Sequence, residues 1–127
     1  MNLVRRTFSL PCAALFLLTA HAVAKRIPPK PVSPVISGGI QYGADGDGRN
    51  QYVVARDASS GNVLWKVKVF HNHIKSWMEE DVQWVYITDL KLVDKTLLVR
   101  DERSRCYSVD LKRKRVRSAN CDGVFSR

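Results

Sequence analysis

The sequence predicts an all-β domain, folded as an antiparallel meander of about seven strands. Apolar and polar residues alternate over short stretches, which is the pattern of strands with one buried face. The stretches are separated by short runs of Gly, Ser, Asn, Asp and Lys, most of which favour tight turns. Strands joined by such short connections pair with their neighbours in sequence, and this gives a meander.

The strands are predicted in seven segments, at 35–42, 52–55, 63–70, 84–93, 96–100, 106–111 and 115–118. The first of them is apolar but interrupted by glycine. The clearest alternation lies in the third segment, where Trp65 and three valines point one way and Lys66 and Lys68 point the other.

The stretch 74–93 combines the one helical pattern with the longest predicted strand. In 74–82, apolar residues that include Trp77 fall near one face of a helix, so a short helix is predicted there. In 84–93, the alternation places Trp84 and Tyr86 on one side of the strand together with two leucines.

The N-terminal residues 1–24 have the pattern of a cleavable signal peptide. Arg5 and Arg6 supply its positive start, and 10–20 is apolar and uncharged. This run is shorter than the ~20 apolar residues that span a bilayer. Because a small-x-small pattern ends at Ala24, we expect cleavage near Ala24 and a periplasmic or secreted product. The paired arginines leave the general and the twin-arginine export routes both open.

After cleavage, a proline-rich linker at 25–34 is expected to precede a single β domain at 35–127. Four of the ten linker residues are proline, which excludes a helix and favours an extended chain. Without Arg5 and Arg6 the chain keeps 19 basic and 12 acidic residues, a net charge of +7. An exported protein seldom meets nucleic acid, so this charge points to other anionic partners.

Cys106 and Cys121 are the two cysteines of the predicted exported domain. In an oxidising compartment, an even pair in a small domain indicates a disulfide. A metal or redox pair is the alternative, but the spacing is far from C-x-x-C and no histidine lies nearby in sequence. The predicted bridge would hold the basic C-terminal tail.

The segment 55–65, ARDASSGNVLW, carries a motif of defined spacing. Ala55, Asp57, Gly61 and Trp65 resemble the A-x-D-x-x-T-G-x-x-x-W repeat of PQQ-like β-propeller blades, with serine in place of the usual threonine. The resemblance implies a hairpin in which the aspartate accepts hydrogen bonds from the turn, the glycine adopts positive φ and the tryptophan docks on the sheet.

The resemblance extends to about two blades. A fainter echo lies at 99–107, where Arg100-Asp101 follows Arg56-Asp57 by 44 residues, a blade-like period. A closed propeller needs about four blades or more. Quinoprotein dehydrogenases hold PQQ and a metal at the centre of a closed ring, and nothing in this chain corresponds to the residues that do so. We therefore expect no cofactor. The resemblance instead implies a role like that of the non-catalytic propellers of the cell envelope, which act as scaffolds.

His71 and His73 are the candidate metal ligands in this sequence. They lie at i and i+2, and the acidic residues Glu79, Glu80 and Asp81 follow. No third ligand stands at a diagnostic spacing, and a solvated loop accounts for the same residues.

Asp45 and Asp47 lie in a loop that resembles a calcium site only in its first residues. Arg49 stands where an EF-hand loop has an oxygen ligand, and Arg56 stands where it has its glutamate. A glycine-rich hairpin turn explains this loop better.

Partner-binding residues are predicted at two places. Trp77 is the candidate for an exposed aromatic anchor, beside the acidic stretch Glu79, Glu80 and Asp81. The densest basic run is predicted to form a charged hairpin at Lys112, Arg113, Lys114 and Arg115. Self-association through exposed sheet edges is an alternative to binding of another protein.

These features favour an exported, non-enzymatic β module that acts by protein contact, either as an envelope scaffold or as an inhibitor (immunity-type) protein. The alternative is a polyanion or membrane-surface binder that uses the basic C-terminal hairpin. A metal-dependent enzyme built on His71 and His73 has the least support.

Overall fold

A computed structural model describes residues 26–125, and this part of the chain is all-β, as predicted. The N-terminal sheet contains four antiparallel strands in sequence order, β1 (Val35–Ser37), β2 (Ile40–Gly46), β3 (Asn50–Asp57) and β4 (Val63–His71). The C-terminal sheet repeats this arrangement with β5 (Ile87–Val93), β6 (Thr96–Asp101), β7 (Cys106–Asp110) and β8 (Arg115–Ala119). The chain is therefore a meander of two four-stranded sheets.

The eighth strand arises at a glycine pair that divides the predicted segment 35–42. Gly38 and Gly39 adopt φ values of 58° and 76°, and the chain turns back so that Val35 pairs with Tyr42. Positive φ at both central residues is typical of a two-residue hairpin turn. The interruption by glycine is thus a turn between two strands.

The predicted alternation in 84–93 is wrong in its first half. The buried side chains are Val85 and Ile87, at 1% and 2% exposure, while Trp84 and Tyr86 are half-buried. The pairing of β5 with β6 shifts between Ile87 and Asp89, which marks a β-bulge. One extra residue reverses the alternation, so the leucines further along β5 return to the core side.

The core lies between the two sheets. Its buried members come from both of them and are Tyr42, Val53, Ala55, Val69, Ile87, Leu97, Val99 and Val109. Gln51 is buried there as well, and its Oε1 accepts the Ile87 N–H at 3.0 Å, which ties β3 to β5. Since β1 and β2 contact β5 while β4 contacts β8, the strand order runs the same way in both sheets.

The predicted linker contacts the β domain. Residues 26–34 contain neither helix nor strand, but Val32 packs against the core. The Arg26 guanidinium binds the Glu102 carboxylate and the Trp84 carbonyl. The predicted signal peptide, 1–24, lies outside the described residues. Within the described chain, no helix has the length and apolar character to cross a membrane.

Candidate functional site: the Trp77 loop and a basic edge

The stretch 74–82, which we call the Trp77 loop, is irregular; its predicted helix is wrong. Only a single 3₁₀ turn, Asp81–Gln83, is helical. Instead, the buried side chain of Gln83 binds backbone groups of the irregular loop. Its Oε1 accepts the Lys75 N–H at 2.7 Å, and its Nε2 donates to the carbonyls of Lys75, Met78 and Glu79 at 2.9, 3.2 and 3.1 Å.

The Trp77 loop presents apolar side chains to solvent. Trp77 is 75% exposed, and Met78 and Val82 are also exposed. The one ring contact of the indole among the described residues is with Lys75, whose Nζ lies 5.4 Å from the ring centroid. Trp77 is thus exposed on a loop whose backbone is hydrogen-bonded to the side chain of Gln83. No sequence motif identifies Gln83.

The acidic stretch beside Trp77 is largely engaged within the protein. Glu80 accepts two hydrogen bonds from the Arg49 guanidinium, which lower the pKa of the Glu80 carboxyl. Asp81 accepts the backbone N–H of Arg26 at 3.2 Å. Within 26–125 only the side chain of Glu79, of these three, makes no hydrogen bond or ion pair. The geometry therefore leaves one of the three predicted acidic contacts free for a partner.

The two candidate histidines flank a buried asparagine. His71 and His73 are exposed, while Asn72 between them is buried and donates from its amide to the Gln83 carbonyl. The Nδ1 of His71 lies 2.8 Å from the side-chain oxygen of Asn50. No group of three or more His, Cys, Asp or Glu side chains in 26–125 comes together in a way that would hold a metal ion.

The loop at Asp45 and Asp47 is a hairpin turn between β2 and β3. Asp47 accepts the backbone N–H groups of Asn50 and Arg49 at 2.8 and 3.0 Å, and these bonds lower the pKa of its carboxyl. Asp45 binds the Lys66 ammonium at 3.1 Å, which likewise lowers the pKa of Asp45. Both aspartates therefore have structural partners, Asp47 within the hairpin turn and Asp45 through Lys66 on strand β4.

The motif at 55–65 has the predicted local geometry. The Asp57 carboxylate accepts the N–H groups of Ser60 and Ser59 at 2.8 and 2.9 Å, and these bonds lower the pKa of Asp57. Gly61 has a φ of 75°, and its N–H donates to the Asp57 carbonyl at 2.8 Å. Trp65 packs at the edge of the core, where its ring centroid lies 6.0 Å from that of Tyr42.

The same turn recurs at 110–114 in the C-terminal sheet. The Lys114 N–H donates to the Asp110 carbonyl at 2.6 Å, and Lys114 adopts a φ of 57°. The Asp110 carboxylate accepts the N–H groups of Arg113 and Lys112 at 2.9 and 3.0 Å, which lower its pKa. Asp57 and Asp110 each end the third strand of their sheet, whereas Asp101, the echo found in the sequence, ends a second strand.

The second candidate surface combines β4 with the β7–β8 hairpin. Both β4 and β8 are edge strands, they contact each other, and neither contains an acidic residue. The Lys114 ammonium, on the hairpin, lies 5.8 Å from the centroid of the Trp65 ring on β4. We call this side of the domain the basic edge. Lys66 and Lys68 lie on the outer face of the N-terminal sheet, and the β7–β8 hairpin adds Lys112, Arg113, Lys114, Arg115 and Arg117.

Most of the charge on the basic edge is unpaired within the described chain. Lys66 binds Asp45 and lies over the Tyr52 ring, and Arg113 lies 3.4 Å from the Asp110 carboxylate. The other five basic groups have no acidic partner in 26–125. They give the surface a positive potential that is available to an external anion.

Cys106 and Cys121 form the predicted disulfide, with their Cα atoms 5.9 Å apart. The bridge attaches the C-terminal segment to β7. Further along that segment, the Phe125 ring lies against the Arg100 guanidinium, 5.0 Å from its carbon. The C-terminal tail is therefore held against the domain up to the last described residue.

Comparison of the chain with models of known protein families and with curated protein sequences gave no match.

Proposed function

We propose that this protein is an exported, non-enzymatic β module that binds a partner protein through Trp77. The observation that carries the proposal is the 75% exposure of this side chain on a loop fixed by Gln83. Tryptophan is enriched among the residues that dominate binding energy at protein interfaces. A loop that is already ordered loses little conformational entropy on binding, which favours affinity.

The surroundings of Trp77 indicate the chemistry of that partner. Met78 and Val82 extend the apolar surface beside the indole, and Glu79 adds a negative charge at its rim. The partner surface is expected to offer an apolar pocket with a basic group beside it. An extracytoplasmic location is supported by the signal-peptide pattern and is compatible with the Cys106–Cys121 disulfide.

The test is capture of the partner from an envelope extract, followed by measurement of its affinity for wild-type protein and for two variants. Trp77→Ala is expected to raise the Kd by ~30-fold or more, since truncation of such an anchor costs about 2 kcal/mol or more. Ile36→Ala is the matched control, because Ile36 is 64% exposed on β1, away from the loop. It should leave the Kd unchanged.

Two results would contradict this proposal. One is a partner whose affinity is the same for Trp77→Ala and wild type. The other is loss of every captured protein at moderate salt, because contacts made by an apolar anchor resist screening whereas exposed charge contacts do not.

The basic edge supports a second candidate function, binding to an anionic membrane surface. Its unpaired charges lie on two adjoining edge strands, and each basic residue near an anionic bilayer contributes about 1 kcal/mol, or about fivefold in affinity. Wild-type protein should bind vesicles that contain phosphatidylglycerol and not vesicles of phosphatidylcholine alone. Lys68→Gln and Arg117→Gln should each weaken binding about fivefold; equal binding to both kinds of vesicle would disprove it.

A further inference from the structure

The outer face of the C-terminal sheet, turned away from the N-terminal sheet, contains a pocket of about 250 Å³. The strand register places its polar walls on one face, because Thr96 pairs with Asp110, and Asp110 with Arg115. Ser108 pairs with Arg117 one step along the same face. The lining residues are Thr96, Ser108, Asp110, Arg113, Arg115 and Arg117.

The charge of this pocket is positive even though it contains an aspartate. The Asp110 carboxylate is occupied by the two N–H groups of its turn and by the Arg113 guanidinium. Arg115 and Arg117 are exposed and have no acidic partner within 26–125. Three guanidinium groups and one carboxylate leave a net charge of +2. Free phosphate or a phosphate monoester carries about −1.5 to −2 at neutral pH and a lipid phosphodiester about −1, so this charge can neutralise either of them.

We infer that this pocket binds a phosphate group. The Arg115 and Arg117 guanidinium groups supply forked N–H donors that suit a tetrahedral oxyanion, and the Ser108 and Thr96 hydroxyls supply further donors. The pocket exceeds the ~30 Å³ that one water molecule occupies, so it has room for such an ion. The inference rests on the second candidate function, since the phosphate would belong to a lipid headgroup; free phosphate is the other source of the same chemistry.

The test is titration of the purified protein with inorganic phosphate at constant ionic strength, balanced with chloride and followed by the amide chemical shifts of each residue. Saturable shifts are expected at Ser108, Arg115 and Arg117. Arg115→Gln and Arg117→Gln should each weaken phosphate binding about tenfold, as expected for loss of one charge-assisted donor fork. Arg103→Gln removes the same charge from an exposed turn outside the pocket and should not change it.

The same variants, mixed with phosphatidylglycerol vesicles, separate this inference from the membrane proposal. Phosphate binding that is lost in the pocket variants and kept in Arg103→Gln supports the pocket. If vesicles bind but phosphate shifts do not saturate, the pocket inference is overturned and the membrane proposal stands. If phosphate binds in the pocket but vesicles do not bind, the pocket is a site for free phosphate and the membrane proposal fails. Equal weakening by Arg103→Gln would mean a general charge effect and would overturn the inference.

Discussion

Replacement of Gln83 by leucine tests whether this side chain fixes the Trp77 loop. Leucine keeps most of the volume but removes four hydrogen bonds, one accepted from the Lys75 N–H and three donated to carbonyls of Lys75, Met78 and Glu79. Each such bond contributes about 1 kcal/mol net. Because one amide group shares its two hydrogens among three carbonyls and water can reach this surface loop, we expect a loss of about 2–3 kcal/mol.

Two measurements on Gln83→Leu check this magnitude and its location. Urea unfolding followed by circular dichroism gives the change in unfolding free energy. Hydrogen exchange of the Lys75 amide reports the loop alone, and this amide should lose its protection. Gln41→Leu is the matched control, since Gln41 lies on β2 and its side chain makes no hydrogen bond within the described chain. A change below about 0.5 kcal/mol, with Lys75 still protected, would refute the reasoning.

Three further changes test other parts of the fold. Gly48→Ala should destabilise by about 2 kcal/mol, since Gly48 has φ 84° and a Cβ there would lie 2.5 Å from the Trp84 ring; Gly43→Ala, in open space, should be near neutral in urea unfolding. Replacement of both Cys106 and Cys121 by serine should lower the unfolding free energy by about 3 kcal/mol, because the bridge closes a loop with a sequence separation of 15; an unchanged urea midpoint would contradict this. The free energy of unfolding should also fall in acid. Carboxyl groups whose pKa is lower in the folded state than in the unfolded state stabilise the folded state fully above their unfolded pKa of about 4. This stabilisation is lost as the pH falls through the folded pKa. The urea midpoint should therefore be level from about pH 5 to 7 and decrease below about pH 4, less steeply when asparagine replaces the turn aspartates Asp47, Asp57 and Asp110.

The fold class was predictable because the signals for it are local. Alternation over 63–70 and the turn residues on either side of it depend on neighbours in sequence, and the structure has a strand there, Val63–His71. The bulge between Ile87 and Asp89 was not predictable in this way. It depends on which residue of β6 each residue of β5 meets, and that pairing is set by the packing of the sheet.

In the two candidate surfaces, too, the local features were predictable from the sequence and the features set by side-chain hydrogen bonds or tertiary packing were not. The exposure of Trp77 agrees with the expectation of an exposed aromatic, but the loop that carries it depends on Gln83, whose partners lie four to eight residues back. The basic run of the hairpin is visible in the sequence. Its junction with Lys66 and Lys68 is not, because about fifty residues separate the two strands that tertiary packing brings together.

The aspartate turn that occurs in both sheets is hard to see in the sequence. In both turns the N–H of the fourth residue after the aspartate donates to the aspartate carbonyl, and that fourth residue has a positive φ. Gly61 holds this position in the first sheet, and Lys114 holds it 53 residues after Gly61 in the second. Lysine at positive φ is strained, so a search for the glycine of the motif passes over this turn. The echo at Asp101 rests on the Arg-Asp pair alone, and no glycine stands four residues after it. The two sheets share this hydrogen-bonded turn, which begins at Asp57 in the first sheet and at Asp110 in the second. In the second sheet, the strained position carries one of the cations of the basic edge.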